Sequence, residues 1–299
     1  MATTFTGHEF YSRKILKALP AQLNFLAAFS TDLSGEVLGP AKSVEVPLVE
    51  MDAAAPFVRN GENANNFARP AGTPKKATVT FGDPIIAGFA VTADQASKID
   101  KRWWEGKAEL NATAVAASAS SAVTNLVTKA NFDKAITKVG TAANFAKSGV
   151  AKIAAACENA TNKLRVKFST LVLNGEYFYN LLSGLDANVY GGTEAIRNGV
   201  IPGLFGFGKV MLMHGLDIPG FVCEPSSIAF ASRGFRPADE TPYRAVREIK
   251  DPESGLSLTL VEYPDGASGD LSESVTTRIG SAVGDSGALV RLVAGDSDE

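Results

Sequence analysis

Histidine and cysteine are almost missing from this chain. Its 299 residues hold two of each: His8 and His214, Cys157 and Cys223. These four side chains lie far apart in the sequence, which leaves no short ligand spacing for zinc. Two cysteines cannot make a disulfide framework, so two free, buried thiols in a reducing compartment are expected. Charge of one sign is also lacking: 29 basic against 32 acidic residues give a net charge of -3, so no face is marked for nucleic acid. There is no run of eighteen apolar residues. The nearest tract, Ala108 to Ala130, is interrupted by Glu109, Asn111, Asn125 and Lys129. Met1 to Gly7 lacks the basic and apolar regions of a signal peptide. Together these absences predict a soluble cytosolic protein with no cofactor, no metal and no membrane partner.

What is present describes an ordinary globular chain, 45% hydrophobic and 20% charged. Ile15, Leu16, Leu19, Leu23 and Leu26 have a helical spacing that Pro20 interrupts. Val44, Val46 and Leu48 alternate around Pro47, which reads as an edge strand. From Glu50 to Lys76 the character changes to a polar excursion centred on the turn dipeptide Asn60-Gly61. Ala77 to Phe81 closes it as a strand, with Val79 and Phe81 inward and Thr78 and Thr80 outward. Thr92, Asp94 and Gln95 form a helix start. Ala96, Ile99, Trp103 and Leu110 then predict a helical face, in a helix running, whole or broken, to about Ala130. Helical stretches are expected at Asn131–Lys147 and Gly149–Asn159, and a short helix at Glu176–Leu182 after the joint Asn174-Gly175. Buried strands are expected at Leu164–Leu173 and Val210–Met213, with Pro202–Gly208 as a loop, and turns at Pro252–Gly255, Pro264–Gly269 and Gly284–Gly287. Strands and helices mixed without strict alternation predict an α+β fold.

The motifs that could carry chemistry are few. Gly284-Asp285-Ser286-Gly287 matches the surroundings of a serine nucleophile, but that chemistry needs a histidine base with an oriented carboxylate. His8 lies in a leading segment, and His214 is too near Ser286 in sequence for the two-barrel protease fold. A glycine-rich turn between strands is the simpler reading. Asp239/Glu240 and Glu248/Asp251 sit in polar loops as solvated charge. Gly203, Gly206 and Gly208 fit neither dinucleotide nor phosphate loops. Trp103-Trp104, with no basic stripe beside it, reads as a helix anchor.

The order of these elements carries the one resemblance. It runs from an amphipathic start through Val44-Glu45-Val46-Pro47 to a polar excursion closed by Thr78–Phe81. Next come Phe89-Ala90-Val91-Thr92-Ala93-Asp94-Gln95, then Lys163-Leu164-Arg165-Val166 to Leu173 and the helix Glu176–Leu182. Gly220-Phe221 to Ala231, Asp251 to Ser257 and a closing Ala288–Val293 strand complete it. The whole resembles the Hong Kong 97-like major capsid proteins of tailed phages. The resemblance implies an N-terminal arm at 1–47, an extended loop at 48–80, a peripheral domain with a long spine helix at 81–146 and 245–299, and an axial domain at 147–244. It further implies a non-enzymatic subunit that forms hexamers and pentamers of an icosahedral head around double-stranded DNA, with weak, non-specific DNA contact. Portal and scaffolding or decoration proteins would be further partners, with assembly in the host cytoplasm. Phe57 and Phe67 would anchor the loop on a neighbouring subunit, with Arg59, Arg69, Lys75 and Lys76 as rim charges. An encapsulin-like compartment shell, or a hydrolase using Ser286, are the alternatives.

Overall fold

A computed structural model describes Tyr11 and residues 14–15, 17–19, 23–33, 42–49, 75–98, 100–136, 139–158, 170–185, 199–237, 239–251, 255–264 and 270–294. His8, Leu16, Pro20, the Asn60-Gly61 turn and residues 164–169, 252–254 and 265–269 of the expected strand and turns lie outside the described residues.

Two six-stranded sheets organise the described chain. The first is built on β13 (Leu271–Val283), whose first half pairs antiparallel with β12 (Ser257–Pro264) and β4 (Ile85–Val91). Its second half pairs with β10 (Ile228–Arg233), which in turn runs parallel to β1 (Ser30–Asp32). The hairpin partner of β12 is β11 (Ala245–Lys250), at the outer edge. The second sheet has the order β5-β14-β9-β6-β8-β7. Its central strands are β9 (Gly220–Cys223), β6 (Thr170–Leu173) and β8 (Phe207–Leu212); β14 (Leu289–Leu292), β5 (Ala135–Ile136) and β7 (Val200–Leu204) lie outside them. Strand β10, from the 147–244 stretch, belongs to the first sheet, and β14, from the 245–299 stretch, belongs to the second.

Strands β6 and β9 are apolar at nearly every position because both faces of their sheet are covered. Leu171, Leu173, Val210, Val222, Val290 and Leu292 turn to one side, onto α3 (Lys147–Glu158) and α4 (Gly175–Ser183). Val172, Met211, Phe221, Cys223 and Leu289 turn to the other, into the main core. Asn174 caps α4, its side chain accepting a hydrogen bond from the Tyr177 amide at 3.0 Å. Neither cysteine is in a disulfide and both are buried, and burial pushes the Cys223 thiol far above its usual range.

The helix start at Thr92 is a capping box: the Thr92 hydroxyl accepts from the Gln95 amide, and the Gln95 side chain accepts from the Thr92 amide, both at 3.2 Å. It opens a short α1 (Ala93–Lys98). Asp100 then caps the long α2 (Lys101–Thr124). The buried face of α2 is Trp104, Ala108, Ala112, Val115, Ala119 and Val123, a helical spacing of small residues that lets it lie close over the first sheet. Leu110, expected on that face, is 63% exposed. The heptad-like steps from Trp104 place it on the opposite side. Trp103 and Trp104 do serve as anchors: both meet the Phe89 ring edge-on, with centroids at 5.1 and 5.3 Å. Tyr11 meets the same ring at 5.5 Å and accepts a hydrogen bond from the Asn111 side chain.

Two other expectations are corrected. Among the described residues of Asn131–Lys147 there is no long helix but the short strand β5 and a 3-10 turn at Ala142–Asn144, separated by Gly140 at φ +88°. Backbone pairing of β5 with β14 takes precedence over helical spacing there. Pro202–Gly208 is not a loop but most of a hairpin, β7 turning into β8.

Candidate functional site: an assembly interface

Strands β2 (Ser43–Pro47) and β3 (Lys76–Thr80) form a two-stranded antiparallel ribbon outside both sheets. Its ladder is extended at one end by the Phe81 amide donating to the Lys42 carbonyl, and at the other by the Leu48 amide donating to the Lys75 carbonyl, each at 2.8 Å. A ribbon of two strands is marginal by itself. This one is held because Val46 and Val79 are fully buried, with Ala77 and Phe81, against Ala229 and Ala231 of β10. Each buried valine contributes about 1.5–3 kcal/mol. Close approach is possible because Gly280 of β13 has no side chain. A Cβ there would come within 2.6 Å of the Thr80 carbonyl oxygen and 2.7 Å of Val79 Cγ1. The alternation read from the sequence is the one present: Val79 and Phe81 buried, Thr78 and Thr80 exposed. Pro47, on this isolated ribbon, removes one donor where no third strand needs it.

The opposite face of the ribbon is polar and open. Lys76 Nζ lies 2.9 Å from Glu45 Oε2, with the side chains 51% and 63% exposed. Such a solvated pair contributes about 0–1 kcal/mol. Beneath the ribbon, the Arg233 guanidinium, nearly buried, binds the Asp32 carboxylate at 2.7 Å and its carbonyl at 3.0 Å, and stands 5.8 Å over the Phe81 ring. That cluster ties β1, β10 and the ribbon together. Removing one partner of so buried a pair costs about 3–5 kcal/mol.

Lys75 and Lys76 stand exposed at the end of the ribbon from which residues 50–74 depart. Phe57, Arg59, Phe67 and Arg69 lie outside the described residues. Sequence reasoning missed several exposed apolar side chains, Val49, Ile86, Tyr179, Phe205 and Tyr263 among them. Alternation and spacing locate apolar residues but do not tell a core face from an open one.

The hydrolase motif is a structural turn. Asp285 Oδ1 accepts from the Gly287 amide at 2.8 Å, capping the 3-10 turn Ser286–Ala288, and Ser286 is exposed on it. His214 sits at the edge of a cavity of about 360 Å³ beside α2, its carbonyl accepting from Ser120 Oγ at 3.1 Å. Of the carboxylate pairs, Glu240 binds Arg236, which holds its carboxyl below the usual range, and Asp239 is lowered by hydrogen bonds to Thr241. Among the described residues no three His, Cys, Asp or Glu side chains are grouped to hold a metal ion, and no helix is long and apolar enough to cross a membrane.

No family model and no curated protein matches the sequence. Solved structures do match in fold. The capsid of the cyanophage P-SCSP1u is similar at a TM-score of 0.50 and 12% identity, over 90% of this chain and 87% of that one. The virus-like particle from Pyrococcus furiosus is similar at a TM-score of 0.51 and 14% identity, over 94% of this chain and 99% of that one. The chain has the Hong Kong 97-like capsid fold, a mixed α+β architecture.

Proposed function

We propose that this chain is the major capsid protein of a tailed phage, a non-enzymatic subunit that assembles into an icosahedral head around double-stranded DNA. The observation that carries this reading is that the similarity in fold to the two capsid-type structures spans nine-tenths or more of the chain, with a buttressed ribbon at the two ends of a long polar stretch of sequence. Residues 50–74 then reach a neighbouring subunit, with Phe57 and Phe67 as anchors and Arg59, Arg69, Lys75 and Lys76 at the rim. Residues 1–47 are the N-terminal arm, 48–80 the extended loop, 81–146 and 245–299 the peripheral domain with its spine helix, and 147–244 the axial domain. Hexamers and pentamers of self, with portal and scaffolding or decoration proteins, are its partners in the virion, and assembly takes place in the host cytoplasm. With a net charge of -3, contact with packaged DNA is weak, unspecific and steeply salt-dependent.

Negative-stain microscopy of the purified chain tests this: capsomers or closed shells are expected. A well-behaved monomer at every salt and protein concentration contradicts it. The likeness to a virus-like particle over 99% of that chain supports a second reading, an encapsulin-like compartment shell. Native particles that protect double-stranded DNA from nuclease favour the phage head, whereas particles filled with a protein cargo favour the compartment.

A further inference from the structure

The hairpin β7–β8 turns through Phe205-Gly206, between the paired residues Leu204 and Phe207. Both turn residues have positive φ, +48° at Phe205 and +87° at Gly206, which is the type I′ geometry. That geometry favours asparagine, aspartate or glycine, because a left-handed residue presses its Cβ against the following carbonyl oxygen. A bulky aromatic there is a rare outlier, and among the described residues Phe205 is the one non-glycine with positive φ.

Among the described residues, no aromatic contact, ion pair or hydrogen bond accounts for that ring. Leu204 and Phe207, at 3% and 1% exposure, already root the hairpin in the core beneath α3 and α4. Phe205 is 46% exposed. Turn preference, backbone conformation and water contact all disfavour phenylalanine at this position. A residue that breaks several local rules at once, with no compensating contact among the described residues, points to a functional site. The tip also stands at a guarded edge. Strand β7 ends the sheet, and Pro202 and Gly203 (φ +53°) interrupt it, so the edge is unsuited to receiving another strand.

We propose that Phe205 is an anchor between copies of this chain, buried in a neighbouring subunit on assembly. The inference rests on the shell reading: in a homomeric shell the surface that meets an exposed anchor is another copy. A rigid aromatic is the kind of residue that dominates such contacts.

The predicted signature is a pair of effects of opposite sign. Phe205→Asn installs the dipeptide this turn prefers, so the melting midpoint of the dissociated subunit should rise by roughly 1–3 °C. The concentration needed for assembly should rise at least about tenfold, while Phe205→Tyr leaves both near their starting values. A lower melting midpoint or failure to fold for Phe205→Asn would place the ring in the subunit's own core and overturn the proposal. So would unchanged assembly by Phe205→Asn in a background where the unaltered chain forms shells; in that case the shell reading survives. If the unaltered chain forms no shells at all, the shell reading itself has failed and this proposal falls with it.

Discussion

The second sheet and the β2–β3 ribbon are two kinds of β-structure in one chain. Strands β6 and β9 are covered on both faces, by α3 and α4 on one side and the main core on the other. The ribbon is covered on one face only and shows the other to solvent. Leu171-Val172-Leu173 is apolar throughout, whereas Ala77 to Phe81 alternates strictly. The first arrangement closes a sheet against further partners. The second holds the ribbon firmly by one face while leaving the other open, which is the arrangement the proposed shell function would use to separate folding from assembly.

Substitutions in the two regions should therefore separate folding from assembly. The largest effect is expected in the doubly covered sheet. Phe221, fully buried and stacked on Phe29 at 6.2 Å, should lose about 3–5 kcal/mol of stability when truncated to alanine. Urea unfolding would measure this, and assembly would fail as a consequence of misfolding. At the ribbon, Gly280→Ala drives a methyl into the Thr80 carbonyl and Val79. It should cost about 1–3 kcal/mol, yet abolish shell formation in protein that remains folded by circular dichroism. If Gly280→Ala assembles normally, the ribbon's seat is not what assembly depends on. The smallest effect is expected at the ribbon's outer face. Lys76→Ala should change stability by less than about 1 kcal/mol, and any loss of assembly should appear mainly at low salt, as for a rim charge.

The same contrast explains what could be read in the sequence. Local chemistry was legible: the Thr92–Gln95 box, the Asn174 cap, and the in-and-out alternation of β3 all form where side chain and backbone settle the matter between near neighbours. The order of elements led to the right fold class for the same reason. Features set by distant partners were not legible. Leu110 and Ala112 both belong to α2, but the first sheet decides which of them is covered. Ala135-Ile136 becomes a strand only because β14 offers it a ladder, and β10 and β14 join sheets that a linear division of the chain keeps apart. Of the candidate interface, the ribbon was visible as Val44–Pro47 and Ala77–Phe81. Phe205 was not, since Phe-Gly has the glycine of a type I′ turn but lacks the asparagine, aspartate or glycine that marks its first position.

Under the proposed function, the ribbon is rooted in the subunit while residues 50–74 serve the assembly. The most direct measurement deletes Asp52 to Thr73, joins the ends with a short Gly-Ser link, and follows circular dichroism, thermal unfolding and negative-stain microscopy of the same preparation. The buried residues of the ribbon, Val46, Ala77, Val79 and Phe81, all lie outside the deletion. The variant should therefore fold with a melting midpoint close to that of the full chain and form no shells. Normal assembly would show that the segment is not an intersubunit arm, and failure to fold would show that it belongs to the core; either result contradicts the account.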